Sequence, residues 1–324
     1  ALAVARWPGP VVVAGNVDAQ PAIVGLLDAA GTPCVSAGNV VPRIGVLAPT
    51  SARAAIRQMF LRHVIGGKHL STGPEFAAMV LGATPDVVLT AVELLSYGVP
   101  DEGLPGTGDV VVVDVGGATS DVYSAVEPRE DDLDHDVDGG LSRDVVGAGP
   151  VNRTVEGDLG MRWSAVPTVE EAHAAALVGD DELPALRSAA QRRAADPAYV
   201  PTTPEEAELD LQLAAYAVGL ALRRHAGRAQ VRFAADPDRR GGMRLVERSG
   251  IDLREVALLV GSGGALRHAE RAADRLLDHV TTDGGWQVPE HPRVVVDRDY
   301  VLAPAGLLAT DHPGVASRLL QFLR

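Results

Sequence analysis

Residues 110–124, VVVVDVGGATSDVYS, place groups that could bind phosphate or a metal ion at the end of an apolar run. Four valines stop at Asp114, the pair Gly116 and Gly117 follows, and the apolar pattern resumes after Thr119. A carboxylate at a strand end can hold a hydrated Mg²⁺ or orient an attacking water. Glycine amides can approach phosphate oxygens because no Cβ intervenes. The segment predicts either an ordinary β-hairpin, in which Asp114 only caps the bend, or a phosphate-binding turn.

A second glycine-bearing segment, LLVGSGGALRHAERAADRLL, covers residues 258–277. An apolar strand pattern runs into Gly261, Gly263 and Gly264, and a helical pattern follows at once. A helix start exposes unpaired amides, which favours an anion or nucleotide site, although a tight strand-to-helix connection has the same pattern. The segment lacks the G-x-G-x-x-G spacing and the later acidic residue of a dinucleotide-binding fold.

A third segment, RTVEGDLGMR at residues 153–162, packs two arginines, two acids and two glycines into a short stretch. It is too polar for a core strand. Its acids, Glu156 and Asp158, are candidates for ligand binding, whereas the alternative is a solvated loop with local ion pairs.

Metal sites receive little support from the sequence. Asp134, Asp136 and Asp138 begin a calcium-loop pattern, but its twelfth position is Val145 instead of glutamate. The acidic segment 127–140 therefore predicts a solvated loop. The nine histidines form no H-E-x-x-H array.

Composition restricts the classes of partner. The chain has 324 residues, 46% of them hydrophobic, and a net charge of −14, which disfavours non-specific binding to nucleic acid. The single cysteine, Cys34, excludes an internal disulfide framework and fits a reducing cytoplasm. No run approaches the roughly 20 apolar residues that cross a bilayer. We therefore predict a cytoplasmic protein that binds neither nucleic acid nor membrane.

The elements that must position these residues alternate between strand and helix patterns. Residues 9–40 predict a strand, a helix and a strand, and further helices are predicted over 51–68 and from Thr84. Thr168 and Thr203 each stand three residues before a glutamate, the spacing of a capping box. This alternation predicts an α/β fold with a parallel or mixed sheet.

A connector rich in glycine and proline, residues 101–108, divides the chain in this interpretation. We place one lobe at residues 1–105 and a second at residues 106–324. The C-terminal helix of the second lobe could pack back on the first.

Taken together, these segments resemble known proteins. VVVVDVGGATSDVYS resembles the second phosphate-binding hairpin of the actin-like ATPase superfamily, and LLVGSGGA resembles its adenosine-binding strand–turn–helix. A closer resemblance is to the MutL proteins associated with glutamate mutase, also called GlmL, which are unrelated to the DNA mismatch-repair protein. It is carried by PVVVAGN (10–16), NVVPRIGVL (39–47), ARAAIRQMFLRHV (52–64), TPDVVLTAVELL (84–95), DVGGATSDVYS (114–124), RTVEGDLGMR (153–162) and APAGLL (303–308).

The resemblance implies a two-lobe actin-like ATPase fold of the ribonuclease H-like type, with ATP or ADP and Mg²⁺ as cofactors. Asp114 would act as the catalytic residue and contact Mg²⁺ through water. The cofactor-binding residues would be Gly116, Gly117, Thr119 and Asp121 at the phosphates, Gly261, Gly263 and Gly264 at the adenosine and α-phosphate, and Glu156 and Asp158 near the cleft between the lobes.

The function that the resemblance implies is an ATP-dependent reactivating, chaperone-like factor for an adenosylcobalamin-dependent mutase or aminomutase. The mutase subunits would be its partners. A small-molecule kinase of the same superfamily and a nucleotide-fold scaffold without hydrolysis are the alternatives.

One feature of the superfamily has no counterpart in this sequence. A first phosphate loop of the form D-x-G-S-T-x-T is expected near the N-terminus, and residues 1–109 contain no match. We therefore expect the first lobe to be truncated at its N-terminus. Because half of the phosphate contacts would then be absent, ATP hydrolysis by this chain alone is expected to be weak or absent.

Overall fold

The computed structural model describes residues 7, 9–43, 46, 48–60, 84–127, 150–234 and 243–324. The contacts divide these residues into two compact units, one formed before residue 61 and the other from Thr84 onward. Both units mix helices and strands, which confirms the α/β class.

The first unit contains a strand–helix–strand arrangement. It consists of β1 (Val11–Val13), α1 (Gln20–Ala29), β2 (Cys34–Ser36) and α2 (Thr50–Phe60). Strands β1 and β2 pair in parallel, as the sequence pattern predicts. Gly31, with φ +71°, takes the left-handed conformation that ends a helix such as α1. The part of the predicted helix beyond residue 60 lies outside the described residues.

The second unit begins with α3 (Thr84–Tyr97), β3 (Gly98–Val99), β4 (Leu104–Pro105), β5 (Val110–Val115), β6 (Ser120–Ala125) and β7 (Val151–Glu156). It continues with α4 (Ala165–Ala174), α5 (Leu183–Ala195), α6 (Pro204–His225), β8 (Arg228–Ala234) and β9 (Met243–Ser249). The last elements are β10 (Leu258–Ser262), α7 (Gly264–His268), α8 (Ala272–Arg275), β11 (Arg293–Val296), α9 (Leu302–Leu308), α10 (Pro313–Leu319) and a final 3₁₀ turn (Leu320–Leu323).

A five-stranded mixed sheet in the order β11-β10-β5-β6-β7 organises this unit. Strands β11, β10 and β5 are parallel, whereas β6 and β7 are antiparallel to their neighbours. The register places Asp114 opposite Asp121 and beside Ser262. The ends of β5 and β10 therefore lie side by side, and each carries one of the two glycine-bearing turns.

Strand β5 is buried on both faces, which explains its continuous run of valines. Val111 and Val113 belong to a core formed with α4 and α6. Val110 and Val112 belong to a second core formed with α3, α9 and α10. Residues 84–105, which we predicted to belong to the first lobe, group with the second unit by their contacts.

One of the two predicted helix caps is confirmed. At the start of α6, the Thr203 hydroxyl accepts a hydrogen bond from the Glu206 amide at 3.3 Å. The other prediction, that Thr168 precedes a helix, is wrong because α4 begins at Ala165. Thr168 is fully buried inside α4, and its hydroxyl accepts from the Gly160 amide at 2.9 Å. Its hydroxyl therefore links the loop before α4 to the start of the helix, where it donates to the Ser164 carbonyl at 2.8 Å.

Among the described residues, no helix combines the length and apolar character that crossing a membrane requires. Most of the acidic segment 127–140 lies outside the described residues.

Candidate functional site

A cavity of about 470 Å³ opens at the carboxyl ends of β5 and β10. Ligands of open α/β sheets bind at this edge, and the volume falls within the usual range for small-molecule sites. The cavity brings together residues of both glycine-bearing turns and of the RTVEGDLGMR segment. Its lining residues are Val115, Gly116, Gly117, Met161, Arg162, Val200, Pro201, Ala207, Asp210, Gly264, Ala265, His268 and Ala269.

The turn between β5 and β6 is closed by a backbone hydrogen bond from the Gly116 amide to the Thr119 carbonyl oxygen, at 2.9 Å. The Gly116 amide, predicted to contact phosphate, is therefore occupied within the turn. The amides of Gly117 and Ala118 have no acceptor among the described residues. A Cβ on Gly116 would lie 2.9 Å from the Thr119 oxygen, so the turn requires glycine there.

Residues 157–164, which we call the brace, bind the opposite side of this turn. The Met161 amide donates to the Gly116 carbonyl (3.0 Å) and the Arg162 amide to the Gly117 carbonyl (2.8 Å). In the same way, the Ser164 hydroxyl donates to the Ala118 carbonyl at 2.6 Å. A trans peptide directs its C=O and N–H in opposite directions. The amides of residues 117–119 therefore face away from the brace, an arrangement of successive N–H groups that suits an anion.

Asp114 lies at the end of β5, next to the cavity-lining Val115. Burial raises the pKa of its carboxyl, and the nearby charges of Asp121 and Asp297 raise it further, against a hydrogen bond from Ser262 that lowers it. A cation would relieve the repulsion between these carboxylates. No cluster of three or more metal-ligating side chains occurs within the described part of the chain. An ion at Asp114 would therefore depend on water and ligand oxygens, which is the usual coordination of Mg²⁺.

Asp121 and Thr119 differ in what surrounds them. Arg153 donates two hydrogen bonds to Asp121, at 2.9 and 2.6 Å, and its guanidinium lies over the Tyr123 ring. Asp121 therefore already has a cationic partner and does not line the cavity. Thr119 contributes its carbonyl to the turn, and the residue is only partly buried.

The three glycines at the end of β10 and just after it meet different requirements. Gly261 lies beneath Leu276 and Leu266, where a Cβ would come within 2.7 Å of the Leu276 side chain. Gly263 has φ +107°, and its Cβ would lie 2.2 Å from the Val115 carbonyl oxygen. Gly264 alone of the three lines the cavity, and no atom lies within 4 Å of where its Cβ would be. The structure thus uses Gly261 and Gly263 for close packing and leaves Gly264 open to a ligand.

An ion-pair network that the sequence did not indicate forms one wall of the cavity. Arg162 donates to the Asp210 carboxylate (3.0 Å) and, through two nitrogens, to the Tyr199 carbonyl (2.9 and 3.2 Å). Arg193 is fully buried and donates to Asp210 and to Glu206. Asp210 follows Arg162 by 48 residues, so no local spacing could have linked them.

Glu156 and Asp158, predicted near a ligand, are bound by an arginine on α6. Arg224 donates to Glu156 at 3.0 Å, to Asp158 at 2.7 and 2.9 Å, and to Glu171 at 2.8 Å. The first cause of the lowered pKa of Asp158 is this hydrogen bonding from Arg224. Neither acid lines the cavity. Together they anchor the start of the brace to α6 and α4.

Comparison with known proteins agrees with the resemblance. The family model described as MutL protein matches residues 1–323. The curated "Protein MutL" of Clostridium tetanomorphum is 32% identical over 318 residues, which cover 96% of this chain and 65% of that relative. The chain therefore spans about two thirds of the length of the relative it matches. On these matches, the chain belongs to the MutL family of the GlmL type.

Proposed function

We propose that this chain binds ATP or ADP with Mg²⁺ in the cavity at the ends of β5 and β10, as a member of the actin-like ATPase superfamily. The observation that carries the proposal is the meeting of the two glycine-bearing motifs at one cavity. Phosphate oxygens would accept hydrogen bonds from the amide of Gly117, which lines the cavity, and from the next two amides along the turn. The base and ribose would contact the apolar lining that includes Val200, Pro201 and Ala207.

The residues around Asp114 fit a bound Mg²⁺. The Asp114 carboxylate would face the hydrated ion, and Ser262 would orient it, since the two residues are hydrogen bonded. The ion would supply positive charge to the phosphates. The chain's own residues would hold the phosphates in place and exclude water through the apolar wall.

We further propose that the protein acts on an adenosylcobalamin-dependent mutase or aminomutase as a reactivating factor. Membership in the MutL family supports this proposal, and mutase subunits would be the partners. The measurement is the recovery of activity by a mutase that has been inactivated through damage to its cobalamin. Recovery that requires both this protein and ATP would support the proposal. Phosphorylation of a small metabolite would favour a kinase instead.

Nucleotide binding can be tested at Gly264, where a side chain fits without a clash. Gly264→Asp places a negative charge in the cavity, whereas Gly264→Asn has almost the same shape without the charge. Because the carboxylate would repel the phosphates, we expect Gly264→Asp to weaken ADP binding about tenfold relative to Gly264→Asn, as measured by titration calorimetry.

Adenosine provides the control ligand because it lacks phosphate. Its affinity should be nearly the same in the two variants. Equal affinity of both variants for ADP would contradict the proposed orientation. If the unaltered chain bound neither ADP nor ATP in the presence of Mg²⁺, the nucleotide proposal would fail and a scaffold without nucleotide would be favoured.

A further inference from the structure

The second half of the RTVEGDLGMR segment, residues 157–162, forms most of the brace that binds the turn between β5 and β6. The brace contacts the turn through the carbonyls of residues 116–118. A further hydrogen bond joins the Ser120 hydroxyl to the Leu159 carbonyl at 3.0 Å. The orientation of the turn's peptide groups is therefore imposed by a segment about 40 residues away in sequence.

Close approach between brace and turn depends on Gly160. A Cβ at this position would lie 2.8 Å from both the Gly117 oxygen and the Ala118 carbonyl carbon. Real Cβ atoms almost never come so close to backbone atoms, so any side chain here would push the two segments apart. The Gly160 φ lies outside the left-handed range. The need for glycine at residue 160 is thus steric and comes from the turn.

The brace is held by hydrogen bonds at both ends, so it cannot move away from the turn without breaking them. At its start, Arg224 binds Asp158 through two hydrogen bonds. Toward its end, Thr168 accepts from the Gly160 amide and donates to the Ser164 carbonyl at 2.8 Å. A side chain at Gly160 would therefore displace the turn, whose carbonyls would lose their donors.

We propose that Gly160 is a positioning residue for the phosphates of the bound nucleotide. Its missing side chain lets the brace lie against the turn and so directs the amides of residues 117–119 toward the ligand. This inference rests on the proposed nucleotide function. It adds that phosphate affinity is set by the fit between brace and turn, and that Gly160 need not contact the ligand.

The test compares Gly160→Ala with Gly157→Ala. Gly157 lies in the same brace, outside the left-handed φ range, and no atom lies within 4 Å of its Cβ position. Binding of ADP and of adenosine to each variant of the whole chain is measured by titration calorimetry. Gly160→Ala should weaken ADP binding about tenfold, the loss expected for one charge-assisted hydrogen bond, and should leave adenosine binding within about twofold. Gly157→Ala should bind both ligands as the unaltered chain does.

The outcomes separate this inference from the proposed function. If the unaltered chain binds no ADP, both fail. If it binds ADP and Gly160→Ala binds equally well, only the positioning role is wrong. An equal loss of ADP and adenosine affinity would also contradict it, because that indicates general damage to the fold.

A second variant covers the case in which Gly160→Ala does not fold. Ser164→Ala removes only the hydroxyl, which donates to the Ala118 carbonyl at 2.6 Å and also lies 3.2 Å from the Gly157 carbonyl. It should weaken ADP binding several-fold without changing the affinity for adenosine. Unchanged ADP binding by Ser164→Ala would count against control by the brace.

Discussion

The turn after β5 and the turn after β10 border the same cavity, but their glycines are required for different reasons. After β5, the brace holds the carbonyls and the amides are left for a ligand. At the end of β10, Gly261 and Gly263 allow the chain to pass close to Leu276 and to the Val115 carbonyl. The first turn is therefore shaped mainly by hydrogen bonds from the brace, and the second by close packing against Leu276 and against β5. The two turns thus have similar glycine content, but hydrogen bonding constrains one and close packing constrains the other.

The largest effect is expected from Gly263→Ala. An alanine here would have to keep φ +107° while its Cβ lay 2.2 Å from the Val115 carbonyl oxygen. We expect the free energy of unfolding to fall by on the order of 4 kcal/mol, because backbone strain and a steric clash add together. Urea denaturation measures the change.

Gly264→Ala is the matched control for this prediction, because the adjacent position has open space and no left-handed φ. It should change the free energy of unfolding by no more than about 0.5 kcal/mol. Similar losses in both variants would show that packing does not explain the glycines of this turn.

Lowering the pH is expected to have an intermediate effect on the free energy of unfolding, through a buried histidine that contacts β6 and β7. His225 is buried between the Thr154 hydroxyl (2.9 Å) and the Ser124 hydroxyl (2.8 Å), on β7 and β6. Burial lowers its pKa from 6.5 to about 4. The unfolded chain therefore takes up a proton at a higher pH than the folded chain. Stability from this group is complete above pH 6.5 and falls as the pH drops toward 4, by roughly 3 kcal/mol in total.

Urea denaturation at several pH values checks this prediction, with His225→Gln as the variant that cannot titrate. The difference in stability between the two proteins should change over the window from pH 6.5 to 4. Asp158, whose pKa is lowered below its ordinary value of 3.8, loses its contribution only at lower pH. A constant difference across the upper window would contradict a neutral, buried His225.

The smallest effect is expected from Thr168→Val, which keeps the shape of the side chain and removes the hydroxyl. The Gly160 amide would lose its acceptor, so the free energy of unfolding should fall by about 1 to 2 kcal/mol. Amide hydrogen exchange at Met161 and Arg162, whose N–H groups donate to the carbonyls of the β5 turn, should become faster, while exchange in α7 stays unchanged. Equal acceleration in α7 would mean that the brace does not act on the β5 turn selectively.

Patterns local in sequence predicted much of the fold. The valine run of β5, the strand–helix–strand of the first unit and the Thr203 cap of α6 all formed as their residue types require. Each depends on neighbours within a few positions, which a single sequence displays. The helical pattern that follows Gly264, within residues 258–277, instead forms two short helices, α7 and α8, with a break at residues 269–271.

The candidate site was only partly predictable. The Gly117 and Gly264 positions follow from glycine-rich patterns at strand ends, and both line the cavity. The Arg162–Asp210 pair and the contact between Gly160 and the turn join segments that are more than 40 residues apart. The acids Glu156 and Asp158 were predicted near a ligand because they are polar, but their partner is Arg224. Only the folded arrangement distinguishes an ion pair from a ligand contact.

Trp163 belongs to the brace, and its contact with Gly117 of the turn after β5 has a practical consequence. The indole ring would lie 2.9 Å from a Cβ on Gly117, and the residue is 64% exposed. Indole emission responds to the polarity of its surroundings, so a charge or a displacement at the turn would change the fluorescence of Trp163. The chain has two other tryptophans, Trp7 and Trp286, and replacing both with phenylalanine would leave a native optical probe at residue 163.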